Sequence, residues 1–134
     1  MKDRLFDTSA LFNVIIKNGS NALKLLKSQS ILDLTMYEIG NVIWKLAYVK
    51  KNITSQQACK ILESFLLLRP NMHVLEIAGM EEKIKNLSID AGLTFYDSAY
   101  VLVAKQSGLV LVTDDALLAK VAAKHLTVMG SEDI

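Results

Sequence analysis

The chain has 134 residues, 15 basic and 14 acidic side chains for a net charge of +1, and a single cysteine, Cys59. The length fits one domain, residues 1–134, with a sizeable core. Near-neutral charge excludes a protein that holds nucleic acid by a basic surface alone, and one cysteine excludes an internal disulfide framework. No apolar run reaches the roughly 18–20 residues of a membrane span. The opening residues carry no export signal, and a lone cysteine suits a reducing compartment, so a cytoplasmic protein with no membrane partner is expected. A hydrophobic content of 51% and a mean hydropathy of +0.30 point to a buried parallel sheet or to an apolar surface covered by a partner.

In chain order, residues 5–6 open a strand and 8–17 read as a helix broken near Asn18-Gly19. A helical piece at 21–27 precedes a strand at 31–34, and helices follow over 37–51 and 55–68, the second ended by Pro70, the only proline. A third strand is expected at 72–75, then a helix over 76–91 that stops at Gly92. A helix over 95–107 stops at Gly108; a strand at 109–112, a helix at 116–124 and a strand at 126–129 complete the chain. Strands alternating with helices predict an α/β fold, a mostly parallel central sheet covered on both faces. In such sheets the working site lies beyond the carboxyl ends of the strands.

Carboxylates follow strands or open helices at four places there. Asp7 follows the first strand, Glu38 and Asp97 fall in first helical turns, and the doublet Asp114-Asp115 follows the strand at 109–112. Taken singly, each has a plain structural explanation. Acidic residues oppose the helix macrodipole at N-termini. Thr35-Met36-Tyr37-Glu38 and Thr94-Phe95-Tyr96-Asp97 match the capping-box pattern, as does Thr54-Ser55-Gln56-Gln57, where no chemistry is expected. Taken together they repel one another, and such a cluster persists when a cation offsets the repulsion. All-oxygen ligands select Mg²⁺ or Mn²⁺ over Zn²⁺. His73, His125 and Cys59 read as structural residues, with Cys59 expected in the core.

Around the carboxylates, Glu38, Asn41 and Lys45 are spaced to share one helix face, which makes Asn41 a supporting residue and Lys45 a phosphate contact, or else parts of a solvated stripe. Ser9 and Thr113 carry hydroxyls beside Asp7 and Asp115, suited to orienting a carboxylate or a water. Trp44, Tyr96 and Tyr100 read as packing residues rather than base-stacking platforms.

With these residues in place, the chain resembles the PIN-domain ribonucleases, and among them the VapC-type toxins. Leu5-Phe6-Asp7-Thr8-Ser9-Ala10-Leu11 is similar to the first family motif, and Tyr37-Glu38-Ile39-Gly40-Asn41-Val42-Ile43-Trp44-Lys45 to the second. Thr94-Phe95-Tyr96-Asp97-Ser98-Ala99-Tyr100 is similar to the third, and Leu111-Val112-Thr113-Asp114-Asp115-Ala116-Leu117-Leu118 to the fourth. The resemblance covers residues 5 to about 129. It implies a three-layer α/β/α fold and an endoribonuclease using Mg²⁺ or Mn²⁺ held by Asp7, Asp97 and Asp115, with Glu38 as a further catalytic residue. It also implies a homodimer held in check by a small antitoxin protein. The last motif is threonine, any residue, then aspartate, which maps to Thr113 and Asp115. Asp114 sits at the variable position as a supporting residue, and either carboxylate of the doublet is open to the metal.

Four other readings compete. A non-catalytic RNA-binding or interaction module predicts a lost carboxylate, and a housekeeping RNA-processing nuclease predicts the same site without an antitoxin. A phosphotransfer enzyme with an aspartyl nucleophile wants Asp-x-Asp after the first strand, where this chain has Ser9; a receiver domain wants its acidic pair there too.

Overall fold

In the computed structural model, which describes residues 3–134, five short strands form one sheet in the order β3-β2-β1-β4-β5. They are β1 (Arg4–Phe6), β2 (Ser30–Leu32), β3 (His73–Leu75), β4 (Val110–Val112) and β5 (Val128–Met129). All four neighbouring pairs are parallel. The central strand is therefore the first in sequence, and Asp7 leaves it at the middle of the sheet's carboxyl edge.

Successive side chains of a strand point to opposite faces, and the core divides accordingly. Phe6, Ile31 and Val112 join Leu11, Leu26, Ile39 and Phe65 of α1 (Thr8–Asn18), α2 (Ala22–Leu26), α3 (Leu34–Trp44) and α4 (Ser55–Leu68). Their neighbours Leu5, Leu32 and Leu111 join Ile84, Tyr100 and Leu118 of α5 (Glu81–Ala91), α6 (Phe95–Ser107) and α7 (Ala116–Ala122). The result is the expected three-layer α/β/α arrangement. No helix among the described residues is long and apolar enough to cross a membrane.

Where the elements differ from the sequence expectation, local chemistry explains it. The second strand stops at Leu32 and α3 starts at Leu34, because the Asp33 side chain takes the Leu34 N–H at 2.9 Å. Thr35 is thus inside the helix rather than its cap, and Glu38 lies in the second turn. The helix expected over 37–51 stays α-helical only to Trp44, then passes through a π-helical turn, Lys45–Val49. The helix expected over 76–91 begins at Glu81, since Gly79 holds φ at 88° and the chain closes a turn from Met80 N–H to Ile77 C=O. Leu126 N–H still bonds back to Ala122 C=O, which leaves only two residues for β5. Cys59, expected in the core, is exposed on α4.

One turn matters most for the site. Gly92 ends α5 in the left-handed region (φ 69°) that L-residues with a Cβ rarely adopt. The chain reverses there, Thr94 caps α6, and Asp97 enters the sheet's carboxyl edge.

Candidate active site

Asp7 is fixed from several sides. Its backbone N–H bonds to Val112 C=O at 3.0 Å, which ties the exit of β1 to the end of β4. Its side chain caps α1: Oδ1 accepts from Ala10 N–H at 2.9 Å and from Ser9 Oγ at 2.8 Å. The Thr113 hydroxyl donates to Oδ2, while its oxygen accepts the Asp115 N–H at 3.1 Å. Asp7 is only 5% exposed. Burial pushes its pKa up to about 6; the bonds from Thr113, Ala10 and Ser9 pull the other way, and the charge on Asp97 adds to the rise.

Asp115 caps α7 by accepting the Leu118 N–H at 3.0 Å. Asp97 sits in the first turn of α6, its N–H bound to the capping Thr94 hydroxyl at 3.1 Å. Partial burial raises the Asp97 pKa above the ordinary carboxylate value, and the charges of Asp115 and Glu38 raise it further. Three elements thus deliver like charges within range of one another.

Glu38 is held by hydroxyls from two other helices. Its Oε1 accepts from Thr8 Oγ and from Tyr100 OH, each at 2.8 Å. Tyr100 OH lies 2.7 Å from Thr35 Oγ, which accepts the Leu32 N–H at 3.2 Å. Each hydroxyl has a single proton. Tyr100 gives its proton to Glu38, so Thr35 donates to Tyr100. The 3.2 Å approach of Thr8 Oγ to Tyr100 OH is then a contact without a proton in it. Burial, and next the Glu38 charge, push the Tyr100 phenol well above its usual range, so it remains a donor at any physiological pH.

Asp7, Glu38, Asp97 and Asp115 line one open cavity of about 530 Å³, together with Ser9 and Asn41. Two expected members are elsewhere. Lys45 is exposed and does not line the cavity: seven residues after Glu38 it shares the face but lies about 10 Å further along the axis. Asp114 turns away and binds Asn13 Nδ2 (2.6 Å), Ser131 N–H (2.8 Å) and Ser131 Oγ (2.6 Å), which fastens the C-terminal 3₁₀ turn Ser131–Asp133 to α1. Desolvation opposes these bonds, yet they hold its pKa below the ordinary value. Thr113 supports Asp7 rather than facing the cavity. His73 and His125 are exposed, and neither lines the cavity.

The donor set fits a hard divalent cation: carboxylate oxygens alone, with mutual repulsion that a cation would offset. Asp7 has three of its roughly four acceptor positions taken by protein donors and one to spare. As placed, no three acidic side chains among the described residues close around a single point.

Thr8, Thr35 and Tyr100 were not legible as site residues. Thr8 directly follows Asp7, and Thr35 precedes Glu38 by three, so proximity in sequence was an available signal for both. For Tyr100 the signal was its position one turn after Asp97.

The PIN domain family model matches residues 4–124. The chain belongs to the PIN domain family. Among curated PIN relatives, "Exonuclease VapC9" of Pyrobaculum aerophilum is 40% identical over 120 residues, 87% of this chain and 84% of that protein. "Ribonuclease VapC3" of the same organism is 33% identical over 89 residues, 66% of this chain and 67% of that one. Among solved structures, PAE2754 from Pyrobaculum aerophilum superposes with a TM-score of 0.80 at 31% identity, over 98% of this chain and 91% of that one. FitAcB from Neisseria gonorrhoeae has a TM-score of 0.62 at 15% identity, over 98% and 99% of the two chains, a likeness of fold. The α/β PIN architecture expected from the motifs is thus the architecture found, and the chain is similar to VapC-named members of the family.

Proposed function

We propose that this PIN-domain protein is a divalent-metal-dependent ribonuclease, a VapC-type toxin restrained by a small antitoxin. The observation that carries the reading is the shared cavity of Asp7, Glu38, Asp97 and Asp115, where the pKa of Asp97 is raised in part by two of the others. The names of the two curated relatives, an exonuclease and a ribonuclease, support hydrolysis of phosphodiester bonds. A non-catalytic module would have been expected to lose a carboxylate, and all four are present.

Asp7, Asp97 and Asp115 would hold Mg²⁺ or Mn²⁺. When bound, the ion would supply an acidified water and positive charge against the scissile phosphodiester. The chain's own residues do the remaining work. Thr113, Ser9 and the Ala10 N–H lock Asp7 in one orientation. Thr8 and Tyr100 load one oxygen of Glu38, which leaves the other to accept a proton from the attacking water. Asn41 lines the wall as a neutral polar contact. Exposed Trp44, Tyr48, Val49, Leu66 and Leu67 support burial against a second copy or an antitoxin, and a homodimer in the cytoplasm belongs to the same proposal.

Cleavage of single-stranded RNA by the purified protein with Mg²⁺, its loss on chelation, and its loss in Asp97→Asn with an unchanged circular dichroism spectrum are the expected results. Undiminished cleavage by Asp97→Asn sinks the assignment. A second reading, attack from an end rather than within the strand, is favoured by the name of the exonuclease relative. A circular RNA separates the two, because only an endonuclease opens it. Co-purification with a small protein encoded beside it distinguishes the toxin from a housekeeping nuclease.

A further inference from the structure

The cleft is proposed to hold a polyanion, yet among the described residues no lysine or arginine lines it and the chain's net charge is only +1. Ion pairs along the strand cannot supply much affinity there. Beside the carboxylates a second cavity of about 240 Å³ opens between the start of α3 and the first turn of α6, walled by Leu32, Asp33, Ile77, Phe95 and Ala99. Leu34, Tyr37 and Tyr96 line both cavities, so the two adjoin. At this junction the rings stand in solvent: Tyr37 is 82% exposed and Tyr96 57%.

We propose that this slot takes one nucleobase of a single-stranded substrate, stacked on Tyr37 and Tyr96, while the adjoining phosphate lies at the carboxylates; the assignment rests on the nuclease function proposed for the cleft. Stacking suits the site because every base has a π face, and it binds a strand without cationic side chains. Only a base already out of a duplex can enter, which restricts the substrate to single strands, loops and frayed ends. Asp33 adds a preference. Its Oδ1 takes the Leu34 N–H, and a carboxylate only accepts, so its remaining capacity favours a base edge bearing an amino group. Guanine, cytosine and adenine are preferred to uracil at that position.

The test uses the full chain and short single-stranded RNAs with 2-aminopurine at successive positions. Ca²⁺ replaces Mg²⁺ for binding, and cleavage is measured with Mg²⁺. Binding should quench the fluorescence at one position. Tyr37→Ala and Tyr96→Ala should each weaken binding about tenfold and abolish that quenching, raising KM more than they lower kcat. Tyr96→Phe keeps the ring and should match the parent. Asp33→Asn keeps the helix cap and should erase the discrimination against uracil. Circular dichroism reports the fold of each variant. If the parent cleaves RNA and both alanine variants bind and cleave as it does, the base slot is refuted and the nuclease function stands. A parent that neither binds nor cleaves single strands refutes both. Alanine variants that change the oligomeric state without changing RNA affinity would make the aromatic pair a protein interface and overturn the slot.

Discussion

Asp114 and Asp115 are joined by one peptide bond and differ in everything else. Asp114 lies outside the cleft, takes three hydrogen bonds from Asn13 and Ser131, and is held below its ordinary pKa. Asp115 lines the cleft, takes the Leu118 N–H, and its charge helps push the pKa of Asp97 up. What separates them is the balance of donors and like charges around each. Asp114 meets donors from two segments of the chain, whereas Asp115 meets one backbone donor and faces the charge of Asp97. The adjacent pair shows that residue type alone does not decide between these outcomes.

The sharpest way to break this comparison is to neutralise each in turn. Asp115→Asn is expected to lower Mg²⁺-dependent cleavage about a thousandfold, the loss of several kcal/mol of charge stabilisation. Asp114→Asn is expected to keep cleavage within about twofold and to lower stability by about 1 kcal/mol through its weakened bonds to Ser131. Steady-state cleavage rates and urea unfolding of both variants check it. Equal loss of activity in the two would make Asp114 a site residue after all.

Glu38 combines both conditions, since it lies in the cleft and is also held by donors. Tyr100→Phe removes one of those donors and is expected to reduce kcat about tenfold, the worth of one hydrogen bond to a charged group, with KM for an oligonucleotide little changed. A structural role alone would lower the melting temperature and leave kcat at a temperature well below it.

The smallest effect is that of pH on the metal-free protein. The folded-state pKa of Asp7 is about 6, against 3.8 for the ordinary group. Protonation therefore favours the folded state: the gain is complete below 3.8 and is lost as pH rises through about 6. Asp97 moves in the same direction. Asp114 moves oppositely, and its contribution is lost only as pH falls through its lowered value. Chelated protein should be more stable at pH 5 than at pH 8 by about 1 kcal/mol. Saturating Mg²⁺ should cancel the difference, since the ion competes with the proton. Denaturant unfolding at the two pH values, with and without Mg²⁺, measures it.

The layers of the fold were readable because the sheet is buried on both faces and its short apolar runs alternate with helical segments. Asp7, Asp97 and Asp115 stand out in the sequence because each follows a strand or opens a helix, whereas Glu38 lies one turn deeper in α3 than its sequence pattern suggests. Their surroundings were not readable, and Thr35 shows why. Thr35-Met36-Tyr37-Glu38 has the same pattern as Thr54-Ser55-Gln56-Gln57, which does form a full capping box. Asp33 takes the capping role first, and the Thr35 hydroxyl instead meets Tyr100, a residue 65 positions away. No local pattern encodes that meeting; it depends on α3 and α6 packing at one edge. Tyr96 was read as a packing residue for the same reason, and in the fold its ring lies mostly outside the core. The Gly79 break at the head of α5 was a local signal that the helical periodicity around it masked.

Strands β1 and β4 pair residue for residue, Arg4 with Val110, Leu5 with Leu111 and Phe6 with Val112. The first residues beyond the pairing are Asp7 and Thr113, and this is why that hydroxyl reaches that carboxylate. Three paired residues thus act as a ruler for the centre. One residue added between Phe6 and Asp7 would move the carboxylate by about 3.3 Å and turn it to the other face of the sheet. The turn at 123–126 carries no residue that lines either cavity, so a change of length there leaves the carboxylates where they are. Between the central strands and their carboxylates an inserted residue is not tolerated, and only the type of side chain can change there.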